Sequence, residues 1–182
     1  NFPVIYLPTT AVLSTQEIEM LKEYVANGGL LLATGLTGLY TRPGQRASLS
    51  NIEDLVGGKF IRSLPDLDNH ISLPALNDNL SPISAEIPSD WPFLVYGPAS
   101  VFELTTAHGY GHLHRPHRTL QQRMGEGNFS LPMSPYEVVG PAILINNYGQ
   151  GKVVYLPCSP DAALASEYRT VEPRLLLRNL IH

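Results

Sequence analysis

Apolar residues enter at once and hold through Phe2-Pro3-Val4-Ile5-Tyr6-Leu7, a run that predicts a strand. Ser14-Thr15-Gln16-Glu17 follows, with serine and glutamate three apart. At that spacing the serine hydroxyl takes a free backbone N–H while the glutamate reaches back to the serine amide, opening a helix. Ile18, Leu21, Tyr24 and Val25 recur at helical spacing, and Gly28-Gly29 supplies a left-handed stop. Leu30-Leu31-Leu32-Ala33-Thr34 then runs apolar without alternation, as a strand covered on both faces does. Strand, helix and strand in so short a span predict a βαβ unit, because parallel strands need a crossover.

Further along, a loop rich in Thr, Gly and Arg spans Gly35 to Leu49, and Ser50-Asn51-Ile52-Glu53 repeats the capping pattern before a short helix ending at Gly57-Gly58. Lys59–Arg62 reads as a short strand. From Ser63 to Pro92 the periodicity weakens, and Pro65, Pro74, Pro82, Pro88 and Pro92 forbid a long helix. Phe93–Tyr96 and Val101–Leu104 predict strands around a Gly97-Pro98 break. Residues 106–140 read as a long irregular stretch, which in compact domains signals function or an interface. Ala142–Ile145 and Lys152–Leu156 flank Tyr148-Gly149-Gln150-Gly151, a hairpin signal. A helix from about Val171, with Pro173 in its first turn, closes the chain.

Composition bounds the class. The chain has 182 residues, 43% apolar and 15% charged. At ~100–200 residues per domain that is one domain. With 15 Gly and 16 Pro, long loops are expected. A formal charge of −4 argues against nucleic acid as a partner, which would select a basic surface. No apolar run approaches the ~18 residues of a membrane-spanning helix, so no membrane partner is expected. One cysteine excludes an intramolecular disulfide and a zinc ribbon. The first residue is Asn, and the sequence opens directly on its strand, so a piece of a longer polypeptide is the expectation.

Candidate chemistry is sparse. Cys158 follows the strand Lys152–Leu156, at the carboxyl end where α/β sheets place sites. With His114 or His117 as base and Asp161 as orienter it would make a nucleophilic constellation. Leu156-Pro157-Cys158-Ser159-Pro160, however, lacks the small flanking residues of a nucleophile elbow. His108, His112, His114 and His117 crowd into ten positions and offer a metal set, although Arg115, Arg118 and Arg123 would set like charge beside the ion. Glu53, Asp54, Asp66 and Asp68 are the acids that glycoside hydrolysis would draw on. Glu53 is explained by its cap and the two aspartates by a polar turn. Gly35-Leu36-Thr37-Gly38 lacks the lysine of a phosphate loop. No cofactor is implied.

The strand Val4-Ile5-Tyr6-Leu7-Pro8, the stretch Leu21-Lys22-Glu23-Tyr24-Val25-Ala26-Asn27-Gly28-Gly29, the strand ending Thr34-Gly35, and Tyr148-Gly149-Gln150-Gly151-Lys152-Val153-Val154-Tyr155 together resemble the class I glutamine amidotransferase-like fold. More narrowly, they are similar to the trimerisation (middle) domain of family forty-two β-galactosidases and related glycoside hydrolases. The resemblance implies an α/β fold with a three-layer, doubly wound, mostly parallel sheet of flavodoxin-like type, whose first βα unit lies upstream of this chain. It puts Gly35 where amidotransferases carry their catalytic cysteine, and no histidine here has glutamate two residues on. A non-catalytic accessory or oligomerisation domain follows, partnered by an upstream catalytic barrel and by further copies, the trimer included. Thr37, Tyr40 and Arg42, in the loop Thr37–Gln45, and His112, His114 and Arg115, in the 108–118 loop, are then expected to face a partner or ligand. Two other readings stand beside it: a small Cys/His hydrolase, and a sugar- or anion-binding module working through Arg115, Arg118 and the Tyr110 region.

Overall fold

The computed structural model describes residues 2–42, 45–46, 50–75, 82–126 and 134–181, with backbone alone at Arg42, Gln45, Arg46, Ser50, Asn51, Leu120, Arg123 and Glu126. The chain opens as the apolar pattern dictates. Strand β1 (Val4–Leu7) leads to helix α1 (Thr15–Ala26) and to strand β2 (Leu30–Thr34). Ser14 Oγ accepts from the Glu17 amide at 3.2 Å, and Glu17 Oε2 accepts from the Ser14 amide at 2.7 Å, which closes the capping box. Those bonds to Ser14 hold the Glu17 carboxyl below its ordinary range.

β3 (Tyr40–Arg42) and β4 (Gln45–Arg46) form a small ribbon. Helix α2 (Ser50–Val56) leads into β5 (Gly58–Leu64), which pairs antiparallel with β8 (Ala99–Leu104). The expected cap on Ser50 lies outside the described residues. Glu53 Oε1 accepts from the Phe60 amide at 2.8 Å, fastening β5 to the helix before it.

The main sheet adds β6 (His70–Ser72), β7 (Phe93–Leu94), β9 (His108–Pro116), β10 (Pro135–Tyr148) and β11 (Gly151–Leu156), in the order β1-β2-β11-β10-β9-β6-β7. Its parallel part is β1-β2-β11, and every other pairing is antiparallel. The sheet is therefore mixed, where a mostly parallel one was expected. One reason is local: β11 follows β10 through the two-residue turn Gly149-Gln150, and so tight a return can only reverse direction. The long irregular stretch expected over 106–140 is also corrected. It holds β9, helix α3 (Leu120–Glu126) and the start of β10, so the histidine-rich segment is a strand paired on both sides.

Helices α4 (Pro160–Ala165) and α5 (Glu172–Ile181) finish the described chain. Alternate residues of β2 feed two cores. Leu31 and Ala33 pack with Ile18, Leu21 and Val25 of α1 and Leu55 of α2, while Leu32 packs with Leu176 and Leu180 of α5. A strand buried on both faces needs no polar alternation, which is what its sequence shows. The glycines of the β10–β11 turn have steric duties. Gly149 adopts φ +60, and at Gly151 an added Cβ would run into the carbonyl oxygens of Val25 and Gly29 at the end of α1. The hairpin and the helix terminus touch backbone to backbone.

Candidate functional site

The carboxyl ends of β1, β2 and β11 meet at one polar cluster. Gly35, at φ +62, donates its amide to the carbonyls of Leu156 (2.9 Å) and Cys158 (2.8 Å), and its own carbonyl accepts from Tyr155 Oη at 2.6 Å. Asp161, in the first turn of α4, accepts from Thr34 Oγ1 at 2.9 Å. Thr9 Oγ1 lies 3.1 Å from Ser159 Oγ and 3.3 Å from Asp161 Oδ2, and the Thr9 amide donates to Thr34 Oγ1 at 3.1 Å. Thr9 holds φ +44, a strained conformation for a β-branched residue, kept by these bonds. A Cβ on Gly35 would strike Ser159 Oγ and stand 2.7 Å from Thr9 Oγ1. Where the resemblance seats a thiol, threonine and serine hydroxyls fill the space.

Cys158 is fully buried beside this cluster, its thiol pushed up to about 12 chiefly by burial and then by the Asp161 charge. A thiol so placed is not a thiolate at neutral pH. The Tyr6 hydroxyl, buried and close to Thr34, is likewise raised to about 12, by burial first and by Asp161 second. Cys158 and Asp161 thus lie near each other, but His114 does not join them. It sits on β9, with β10 between it and β11, and its Nε2 is 2.9 Å from Ser72 Oγ.

Thr37, expected to face outward, is buried. Its hydroxyl donates toward the Thr34 carbonyl at 2.6 Å and accepts from the Thr10 amide at 3.0 Å, locking the turn after β2. Tyr40 is half-buried against the α1 side of the core, and the Arg42 side chain lies outside the described residues. His112, His114 and Arg115 belong to β9 rather than a loop. His70 stands opposite His114 and Ser72 opposite His112, and His70 Nδ1 lies 2.9 Å from the Asp68 carbonyl. His108 and His117 are exposed, and no group of three metal-type ligands forms among the described residues. Asp66 and Asp68, expected in a polar turn, are both buried.

Burial lowers the pKa of His70, and burial together with His112 lowers that of His114. The unfolded chain, with ordinary histidines, therefore binds protons first as pH falls. Stability should be level above the ordinary value of ~6.5 and decline below it, down to the lowered folded values. Urea midpoints measured at about pH 7.5 and 5.5 should fall on acidification, and His114→Gln should reduce the fall. A midpoint that holds steady contradicts the buried neutral pair.

Of the open clefts among the described residues, two larger ones stand away from the strand tips. One of about 670 Å³, between Phe2, Met20, Glu23, Tyr24 and Gly28, lies at the opposite end of β2 and holds one carboxylate. The other, of about 550 Å³, lies where β5, β9, β10 and α3 converge and carries Arg62, Asp66, Arg115 and Glu137. It joins acids and bases that the sequence left scattered.

The fold defined here occurs as one part of larger glycoside hydrolase chains. The α-L-fucosidase isoenzyme 2 of Paenibacillus thiaminolyticus matches 99% of this chain with 25% of its own, at 20% identity and TM-score 0.69. The GH42 β-galactosidase Gan42B matches 86% of this chain with 19% of its own, at 18% identity and TM-score 0.54. A ThuA-like protein of Bacteroides uniformis matches 99% with 68% of its own, at 15% identity and TM-score 0.59. The chain spans about a fifth to a quarter of the fucosidase and the β-galactosidase. No protein-family profile matches it, and no curated protein sequence does. At these identities the likeness is one of fold.

Proposed function

We propose that this chain is a non-catalytic accessory domain of a carbohydrate-active enzyme, descended from an amidotransferase-like fold that has lost its nucleophile. The observation that carries the reading is the closed strand tip. Gly35 has no room for a side chain, and Asp161, Thr9, Thr34 and Ser159 spend their polar atoms on one another. A catalytic centre instead leaves its groups facing space that a substrate can enter. The parallel β1-β2-β11 core with helix residues packed on both faces supports the amidotransferase-like descent. Its partners in this reading are a catalytic barrel in the same polypeptide and further copies of the domain, as in a trimer. Strand β1 supports the latter: it is apolar, half-buried and paired on one edge only among the described residues.

The test is turnover by the 182-residue chain itself. Chromogenic β-D-galactosides and α-L-fucosides should show no hydrolysis above background, and Cys158 should react with a thiol reagent only after denaturation. Hydrolysis abolished by Cys158→Ser or Asp161→Asn, or rapid labelling of the native thiol, would overturn the reading. Sedimentation velocity examines the assembly separately: a single 20.0 kDa species at every concentration removes the oligomerisation role.

A further inference from the structure

We infer that the cleft between the end of β5, the end of β9, the start of β10 and helix α3 binds a neutral saccharide, one or two pyranose rings in length. The inference rests on the carbohydrate-active reading above and supplies that reading with a ligand site of its own.

Size comes first. A volume of about 550 Å³ lies within the ~300–1,000 Å³ of small-molecule sites and accommodates a disaccharide. The lining then sets the class of ligand. Arg62 and Arg115 present guanidinium donors and Glu137 an exposed carboxylate acceptor, while the buried Asp66 in the lining balances the second arginine. A phosphate or carboxylate entering here would meet two like charges. A polyol meets none, because each hydroxyl donates to a carboxylate and accepts from a guanidinium. Met124, otherwise left largely in solvent, adds apolar surface for the C–H face of a ring.

The donors are also held in place. Glu137 Oε2 accepts from Arg115 Nε at 2.6 Å across the β9–β10 ladder, where the two residues are register partners. The Arg115 guanidinium carbon lies 5.4 Å from the centroid of the Tyr136 ring, and that ring meets His117 edge-on at 5.0 Å. An arginine fixed by a carboxylate and an aromatic ring loses less rotamer freedom on engaging a ligand. The ladder shifts register between Pro135 and Glu137, which places Tyr136 and Glu137 together around one arginine. Arg62, on the exposed side of β5, makes no ion pair among the described residues and remains available to a ligand.

The experiment is an amide-shift titration of the 182-residue chain with lactose, run beside one with glucuronate. Lactose should produce saturating shifts at Arg62, Arg115 and Glu137, with dissociation in the millimolar range usual for shallow sugar sites. Arg62→Ala, which removes an exposed side chain and leaves the fold intact, should weaken binding about fivefold, and Arg115→Met about tenfold or more. Absence of saturation at about 50 mM lactose, saturating shifts located elsewhere, or a response to glucuronate alone would each overturn the inference. None of those results bears on turnover or assembly, so the accessory-domain reading stands or falls by its own tests.

Discussion

Among the glycines of the described residues, Gly151 should be the most damaging to change to alanine. Its Cβ would drive into the carbonyl oxygens of Val25 and Gly29 and stand 3.0 Å from the Val25 carbonyl carbon. All three are main-chain atoms at the end of α1, so no rotamer change makes room. Either the β10–β11 hairpin or the helix terminus must move, and both are tied to β2: Gly29 by continuity and Lys152 through the hydrogen bond its N–H donates to the Gly29 carbonyl. Overpacking ordinarily costs ~1–3 kcal/mol, and contact with rigid backbone places this case at about 3 kcal/mol or more. In a domain of this size that lowers the melting temperature by roughly 6–12 °C. Gln150→Ala, an exposed change one residue away, should remain within about 0.5 kcal/mol and serves as the control. Thermal melts of the pair decide the matter: equal midpoints would mean that the close approach of hairpin and helix does not exist in solution.

Gly35→Ala should cost about 2–4 kcal/mol, from two separable sources. The left-handed conformation, φ +62, penalises any side chain by ~1–2 kcal/mol. The remainder is the collision with Ser159 Oγ and Thr9 Oγ1. Because a hydroxyl rather than backbone supplies the closest atom, Ser159→Ala should relieve part of the loss. A double-mutant cycle in urea should therefore show Gly35→Ala less costly in the Ser159→Ala background than in the wild type. Additive effects would mean that the tip is open, and with it the chief support for a non-catalytic domain would go.

The parts of the fold legible in the sequence are those whose signals are local. The capping box at Ser14 and Glu17, the stop at Gly28-Gly29 and the unbroken Leu30–Ala33 run located β1, α1 and β2 to within a residue or two, because cap chemistry and periodicity act over a few positions. Strand β9 left no such trace. Its glycines at 109 and 111 lower strand propensity, yet contact requires them. Gly111 takes φ +66 with the Ser72 carbonyl beneath it, and Gly109 lies under Leu104 and Pro141. The register shifts between β9 and β10 then break what alternation remained. Strand β6, three residues long, is too short to show a period.

The site divides in the same way. The tip of β2 was legible from the end of an apolar run. The bonds from Thr9 to Ser159 and Asp161 join positions 150 and 152 apart, beyond the reach of any spacing rule. Thr37 looked like a loop residue because its partners are main-chain amide and carbonyl groups, which carry no mark in the sequence. Asp66 and Asp68 looked solvated because polarity in a proline-rich stretch reads as a turn. Around them, Val95 and Gly97 from later in the chain donate to the Asn69 and Leu67 carbonyls, contacts that no local pattern announces.

The pairing of β2 between β1 and β11 also sets a timetable for biosynthesis. Its first neighbour precedes it, whereas its second is synthesised far later, as the 120 positions between Gly35 and Tyr155 measure. At ~5–20 residues per second, the nascent chain carries an open leucine-rich ladder edge for roughly 6–24 s. Such an edge is a template for any other extended segment nearby. The hazard to this protein on the ribosome is therefore the wait for residue 152, and cellular factors that shield exposed strands should matter most in that interval.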